Sequence, residues 1–224
     1  MEEAPPMTPQ AVQDLFTRRD GSYRFARWGR PIVPVVFGVD EATLSVFKGA
    51  IEAVVTLAGH KMAETDPELG ANLMLFFFRE WAELPQVPNL DRLVPDLGPL
   101  CARLQAGDAH HYRRFQFEPD GAIKAVFVFV RLQIDLEELA VQDLAMNEAV
   151  QMILAWSDTA FAEASPLARI GQSGVLRPQI AAVIHAGYAR VLPRVAQSPE
   201  HALRLAARVQ IYLDAQGLAE ELRG

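Results

Sequence analysis

The sequence has one cysteine, Cys101, among its 224 residues. A single thiol excludes a disulfide within the chain, and it also excludes a metal site built from several thiolates. Cys101 follows Leu100 in an apolar helical pattern. We therefore expect a buried, unreactive thiol.

Long apolar segments are missing as well. No run reaches the roughly 18 residues that a membrane-spanning helix needs, so we expect no membrane span. Residues 1–6, Met-Glu-Glu-Ala-Pro-Pro, offer neither the basic residues nor the apolar stretch of a secretory signal. As written, the sequence predicts a cytoplasmic protein, whereas an exported protein is expected if a leader has been removed.

Basic residues are in the minority. The 21 Lys and Arg against 28 Asp and Glu give a formal net charge of −7, which argues against a nucleic acid as the main partner. One local basic cluster stands out near the N-terminus. We interpret it as a solvated face, with an anionic partner as the alternative. Its members are Arg18, Arg19, Arg24, Arg27 and Arg30.

Half of the residues are hydrophobic and 22% are charged, a composition that is typical of a globular chain with a sizeable core. Residues 1–20 are predicted to form an arm and a short helix over residues 9–19, which Thr8 caps ahead of Pro9. Residues 21–224 are predicted to form one domain. We find no repeat and no low-complexity tract in this domain.

The first half of the domain alternates strands and helices. Ile32–Phe37 predicts a strand that Pro34 confines to a sheet edge or a bulge, because proline has no N–H to donate. Asp40 caps a predicted helix over residues 41–62. The apolar run Asn72–Phe78 favours a strand covered on both faces. Ala122–Ile134 is the strongest strand signal, with 115–117 as its hairpin partner.

From Leu136 onward the pattern is helical. A loop is predicted over Ser165–Gly174, followed by helices over residues 177–191 and 199–222. The order β-α-β-(α)-β-β-α-α-α predicts an α+β fold with a mixed sheet backed by helices and a helical C-terminal half.

The most informative segment is residues 137–146. On a helical projection Glu138 and Gln142 fall, one turn apart, within a broad apolar arc, while Glu148 falls on the polar side. A carboxylate and an amide on an apolar face must be paired or must line a cleft, because desolvating either one alone costs several kcal/mol. A hydrogen bond between the two, a ligand contact and a metal site are the three interpretations.

This segment resembles an uncharacterised bacterial family with a zincin-like, metzincin-type metallopeptidase fold and a degenerate zinc motif, Glu-Glu-x-x-Gln-x-Leu-Gly-Leu. Glu138 and Gln142 match the first and last positions of the zinc motif, and residues 144–146 match the Leu-Gly-Leu. Leu139 and Ala145 depart from the second Glu and the Gly. The similarity runs from Arg18 to Ala207, and its other segments are Arg27-Trp28, Ala71-Asn72, Tyr112 to Val130, Ser157 to Phe161, and Tyr188.

The resemblance implies a zincin-like architecture in which the Glu138 helix packs beneath the sheet, with a cleft at its C-terminal end. It also implies that Tyr188 lies near that cleft. Zinc peptidases need two histidines at i and i+4 and a glutamate base beside the first. Gln142 is a poor ligand and Leu139 occupies the base position, so we expect neither a metal nor another cofactor.

The histidines offer no complete metal site. His110 and His111 are adjacent in a predicted strand, so their side chains point to opposite faces, and we expect both at the surface. His185 and Tyr188 lie three residues apart on one helix; a core pair and a cleft pair are the alternatives. His201, in the first turn of the last helix, is expected to be solvated, and the three tryptophans are expected in the core.

The sequence therefore predicts a non-catalytic binding or structural module that retains an old peptidase cleft, with an unknown protein or peptide as ligand. A metal-dependent hydrolase that combines Glu138 with His110, His111 or His185 is the first alternative. The second is an α+β ligand-binding or dimerisation domain, in which residues 76–78 or the last helix supplies a homodimer interface.

Overall fold

The computed structural model describes residues 7–132, 140–171 and 173–221, with side chains up to residue 217. These residues form an α+β fold, as predicted. The strands are β1 (Phe25–Ala26), β2 (Pro34–Phe37), β3 (Leu73–Phe78), β4 (His111–Phe117), β5 (Ile123–Arg131), β6 (Leu167–Ile170), β7 (Ser173–Leu176) and β8 (Val195–Ala196). The α-helices are α1 (Pro9–Asp14), α2 (Glu41–Leu57), α3 (Leu90–Leu93), α4 (Leu97–Ala106), α5 (Val141–Ile153), α6 (Pro178–Gly187) and α7 (Glu200–Glu221), and a 3-10 helix spans Trp81–Gln86.

The main sheet is mixed and has the strand order β2-β3-β5-β4. The first three strands are parallel, and β4 runs antiparallel to β5 at one edge. Pro34 opens β2 at the opposite edge, so the prediction from its missing N–H is confirmed. A two-residue pair, β1 with β8, and the hairpin of β6 with β7 lie outside this sheet.

Both faces of the sheet are covered. All six residues of β3 are buried, as its continuous apolar run predicted. Leu73 and Leu75 belong to the core that α2, α5, α6 and α7 complete, whereas Met74 and Phe76 pack with the 3-10 helix, α3 and α4 on the other face. This alternation follows from the two-residue period of a strand. α2 and α5 pack together against the face of the sheet that Leu73 and Leu75 share.

The predicted starts of α1 and α2 are confirmed, but both helices are shorter than expected. Thr8 Oγ1 accepts a hydrogen bond from Ala11 N at 3.1 Å, and Asp40 Oδ1 accepts one from Thr43 N at 2.7 Å. α1 ends at Asp14 instead of residue 19. α2 ends at Leu57 because the following chain turns back beside β2, where Ala63 N donates to the residue 32 carbonyl at 3.0 Å.

The loop predicted over residues 165–174 was wrong, because most of it belongs to the β6–β7 hairpin. Arg169 pairs with Gly174, and Gly171 adopts the left-handed conformation that a tight turn requires. Gly174 N donates to Asp143 Oδ1 of α5 at 2.8 Å. This bond to a distant helix, which no local pattern indicates, fixes the hairpin to α5.

His201 is fully buried, so its predicted solvation was wrong. Its Nδ1 lies 2.8 Å from the Tyr23 hydroxyl oxygen, and the centroid of its ring lies 4.4 Å from the centroid of the Phe25 ring. The reason is that the first turn of α7 packs against the chain that leads into β1. Of the helices described, none is long and apolar enough to cross a membrane.

Candidate functional site

A cleft of about 710 Å³ opens beside the antiparallel edge strand β4. Three segments line it: residues 18–20 after α1, residues 111–115 of β4, and residues 151–162 at the end of α5 and beyond it. β4 gives the cleft one wall, and the other two segments give the opposite wall. The cleft therefore lies at the C-terminal end of α5.

A buried ion pair connects β4 to α5 beside this cleft. Glu148 is 0% exposed, and its Oε2 accepts hydrogen bonds from Arg113 Nε at 3.1 Å and from the second guanidinium nitrogen at 2.5 Å. His111 Nδ1 lies 3.4 Å from the other carboxylate oxygen. Asn147 Nδ2 donates to that oxygen at 3.3 Å. Both oxygens of Glu148 are thus occupied.

The charge state of Glu148 follows from these neighbours. Burial alone would raise the pKa of its carboxyl group, because desolvation disfavours the charged form. The positive charge of Arg113 and the bonds from Arg113 and His111 outweigh burial, and the pKa of Glu148 is lowered from its ordinary value. Glu148 is therefore a carboxylate at neutral pH, and its contacts with Arg113 and His111 orient those two side chains.

The outer edge of β4 has backbone groups that point away from the sheet. Arg131 N donates to His110 O at 2.8 Å, which identifies residues 110 and 131 as a hydrogen-bonded pair of the antiparallel ladder. Bonded and non-bonded pairs alternate, so the N–H and C=O groups of His111, Arg113 and Phe115 point away from β5. In the described parts of the chain no strand pairs with this edge.

The wall opposite β4 is partly aromatic. The Trp156 ring stacks on the Phe16 ring, with 5.2 Å between the ring centroids and an interplanar angle of 12°. The Trp156 and Phe161 rings pack edge to face, with 5.2 Å between their centroids. The Trp156 indole N–H donates to Val150 O at 2.8 Å. Trp156 thus joins the core and lines the cleft at once, whereas Trp28 and Trp81 are buried in the core as predicted.

Hydrogen bonds tie the two segments of this wall together. Ser157 N donates to Leu15 O at 2.8 Å, and Ser157 Oγ donates to Thr17 O at 2.6 Å. Arg19 Nε lies 3.0 Å from Asp158 Oδ2 at the rim, where both side chains are largely exposed. The wall is therefore fixed at its base and charged at its rim.

The motif residues do not meet in the cleft. Glu138 lies outside the described residues, so its role stays a prediction. Gln142 is exposed, and its predicted position on the buried face was wrong. Gln142 belongs to the first turn of α5, whereas the buried residues of this helix begin at Ala145. The helical projection placed the buried apolar residues of α5 correctly, but it did not show that Gln142, in the first turn, is exposed.

Tyr188 and His185 also lie away from the cleft. The Tyr188 hydroxyl donates to Ile153 O at 2.8 Å and accepts from Trp28 N at 3.3 Å, which ties α6 to the end of α5. Burial raises the pKa of Tyr188, so the phenol stays neutral. His185 is exposed, with its Nδ1 3.2 Å from Leu57 O and its ring 4.4 Å from that of Tyr212.

The adjacent histidines point to different neighbours, as the period of a strand predicted. His111 faces Glu148, whereas His110 Nδ1 lies 3.3 Å from an Arg131 nitrogen. Across residues 7–132, 140–171 and 173–221, no three His, Cys, Asp or Glu side chains form a group that could hold a metal ion.

The residues that define the cleft were missed at the level of sequence. The helical projection placed Glu148 on the polar side of α5. Its partners Arg113 and His111 lie 35 and 37 positions away in the chain, so the projection does not indicate them. The one available signal was the alternation of basic and aromatic residues at 111, 113 and 115, which places these three side chains on one face of a strand. No protein-family model, curated protein or solved structure matches the chain.

Proposed function

We propose that this protein is a non-catalytic peptide-binding module of zincin-like architecture. Its ligand is an extended peptide that adds a strand to the outer edge of β4 and lies in the cleft. The observation that carries this proposal is the outer edge of β4, with which no described strand pairs and whose residues His111, Arg113 and Phe115 line the cleft. Strand addition to an exposed sheet edge is a common mode of peptide recognition.

The arrangement of α5 supports the zincin-like part of the proposal. This helix, which begins with the motif residues from Val141 to Met146, packs against α2 beneath the sheet. The cleft lies at its C-terminal end, beside Gln151 and Trp156. The resemblance to the zincin-like family implies both features.

The chemistry of the cleft supports binding without catalysis. Glu148, the carboxylate beside the cleft, is 0% exposed and has both oxygens engaged by Arg113, His111 and Asn147, so a ligand in the cleft does not reach it. An acid or base in catalysis must reach the proton that it transfers. Glu148 instead holds β4, and thereby positions the edge to which the peptide binds.

Strand addition also fits the dimensions of this edge. The outward residues of β4 are two positions apart, or roughly 7 Å, which is the spacing of the matching groups on an extended peptide. Peptide side chains that point toward α5 would contact Phe115, Trp156 and Phe161 in the cleft. The backbone thus supplies affinity for any extended segment, and the cleft walls supply selectivity.

The test compares two variants at one outward position of β4. Binders are selected from a phage-displayed library of random peptides and measured by fluorescence polarisation. Phe115→Ala removes only the ring, whereas Phe115→Pro also removes the outward N–H without breaking the ladder to β5. The proline variant is expected to bind about fivefold more weakly than the alanine variant, because one hydrogen bond is lost.

The matched control places proline on the other edge of the sheet. Val33 O accepts from Leu73 N at 3.1 Å, so the alternation leaves the N–H of Val36 pointing outward from β2. Val36→Pro is expected to leave peptide affinity unchanged. Equal affinity of the Phe115→Ala and Phe115→Pro variants would contradict strand addition at β4.

A further inference from the structure

A second cavity, of about 200 Å³, borders the wall of the cleft that faces β4. Phe161 lines both cavities and is therefore a wall that they share. The second cavity lies between α1, residues 160–165 and the start of α6, and we call it the apolar pocket. The cleft lies beside the residues that follow α1 and residues 151–162, so the same two parts of the chain build both cavities.

The lining of the apolar pocket is mostly apolar side chains. They are those of Met7, Leu15, Ala160, Phe161, Ala164 and Ile180. Ile180 is buried in the main core, and Met7, Leu15 and Phe161 pack against that core. The base of the pocket is therefore formed before a ligand arrives. An apolar group that enters it is stabilised, because its surface leaves water.

Polar groups at the edge of the apolar pocket are bonded to one another. Arg177 Nε donates to Ser165 O at 2.9 Å, and Ser165 Oγ accepts from Leu167 N at 3.1 Å. Within the described part of the chain, the lining contains no carboxylate, and its one charged residue is Arg177. The pocket therefore offers apolar surface with a single positive charge beside it, which disfavours a lysine side chain.

From these observations we infer that the peptide bound at β4 places one large apolar side chain in the apolar pocket. The inference rests on the proposed function and names the class of peptide that the cleft selects. Apolar cavities of roughly 150 Å³ in other proteins hold a benzene molecule, so leucine, methionine or phenylalanine has a suitable size. The residue that enters the pocket lies on the part of the peptide that leaves β4 and crosses Phe161.

The experiment starts from the tightest binder in the phage-displayed library of random peptides. Each of its residues is replaced in turn by alanine, and affinity for the full chain is measured by fluorescence polarisation. We expect one leucine, isoleucine, methionine or phenylalanine whose replacement weakens binding about tenfold, because its apolar surface returns to water. At that position glutamine, glutamate and lysine are expected to bind no better than alanine. If no apolar residue stands out, or if glutamate binds best, the inference is wrong.

Two nearby alanines locate this side chain. Of the described residues, Ala164 lines the apolar pocket and not the cleft, whereas Ala162 lines the cleft and not the pocket. Ala164→Trp fills the pocket, so the selected peptide and its alanine-substituted form are expected to bind this variant equally. Ala162→Trp is expected to keep the tenfold difference between the two peptides. Ala102→Trp, at an exposed position on α4, is the matched control for an added indole and is expected to change neither affinity.

A second measurement uses the native chain and needs no variant. In the complex, nuclear Overhauser effects are expected between the apolar peptide side chain and the methyl groups of Met7 and Leu15. Their absence with saturating peptide would overturn the inference. The three alanines are exposed, so the tryptophan variants are expected to fold, and circular dichroism checks this.

The outcomes separate this inference from the proposed function. If the selected and alanine-substituted peptides bind equally and Phe115→Pro still weakens both relative to Phe115→Ala, the apolar anchor is refuted and strand addition stands. If Ala162→Trp removes the difference and Ala164→Trp keeps it, the side chain lies in the cleft and the inference is refuted. If no peptide binds, or Phe115→Pro has no effect beyond that of Phe115→Ala, the proposed function fails and the inference fails with it.

Discussion

Arg113 on the edge strand β4 donates two hydrogen bonds to Glu148 on α5, and that carboxylate is completely buried. The pair joins the sheet to the helix beneath it at the position where the cleft opens. Removing one partner of a buried ion pair leaves a charge without compensation, which costs more than the intact pair contributes. Glu148 is thus both a stability determinant and the group that positions the cleft wall.

We predict that Glu148→Gln destabilises the protein by about 3 kcal/mol, because Arg113 loses its counter-charge in a largely buried site. Urea unfolding monitored by circular dichroism measures the change. Glu52→Gln, at an exposed position on α2, is the matched control and is expected to stay within about 0.5 kcal/mol of the native protein. A loss below about 1 kcal/mol for Glu148→Gln would show that the pair does not hold β4.

A second prediction concerns pH. Burial is the largest cause that lowers the pKa of His201, from 6.5 to about 4, and the positive charges of Arg204 and Arg27 add to it. The unfolded chain therefore binds more protons than the folded chain between these two values, so stability falls as pH falls from 6.5 to about 4. The loss amounts to about 3 kcal/mol over that window.

The measurement is the free energy of unfolding in urea at several pH values between 7.5 and 4.5, the lower limit being chosen to avoid most carboxylate titration. His201→Phe, which keeps an aromatic ring but cannot titrate, is expected to flatten the profile. A variant whose stability falls as steeply as that of the native chain would assign the pH dependence to other groups.

The entrance to β3 supplies a third prediction. Asn72 is fully buried; its Oδ1 accepts from Val33 N at 2.8 Å, and its Nδ2 donates to Pro31 O at 2.8 Å and to Asp66 Oδ2 at 3.0 Å. Asn72→Ala removes three hydrogen bonds and leaves the buried Val33 N without its acceptor, so we expect a loss of about 2–4 kcal/mol in thermal or urea unfolding. A loss under about 1 kcal/mol would indicate that water replaces the amide.

Two glycines with similar backbone angles provide a matched pair for a fourth prediction. Gly38, after β2, has φ +83°, and a Cβ there would lie 2.0 Å from the Phe77 carbonyl oxygen. Gly70 has φ +73° and open space around it. Gly70→Ala is expected to cost about 1 kcal/mol from backbone strain alone, whereas Gly38→Ala is expected to cost at least about 3 kcal/mol. Equal losses would mean that β2 and β3 separate without penalty.

Much of the sheet was predictable, because its determinants are local. The continuous apolar run of β3 requires cover on both faces, Pro34 excludes the sheet interior, and Thr8 and Asp40 accept the first free N–H groups of their helices. These signals depend on residues within a few positions of one another. The α+β fold follows from them.

The cleft was not predictable, because its chemistry depends on pairings between distant segments. The helical projection put Gln142 inside and Glu148 outside, and the structure reverses both. A carboxylate is buried where a guanidinium reaches it, and the periodicity of α5 contains no information about Arg113 of β4. His201 was misassigned for the same reason, since its partner Tyr23 lies far away in sequence.

The most direct test of peptide binding at β4 is amide hydrogen exchange, read residue by residue by NMR with and without a saturating selected peptide. The backbone N–H groups of His111, Arg113 and Phe115 are expected to exchange readily in the free protein and at least about tenfold more slowly in the complex, while that of Val36 on the opposite edge does not change. If these three amides exchange at the same rate with the peptide bound, the peptide does not add a strand to β4, and the proposed function is wrong.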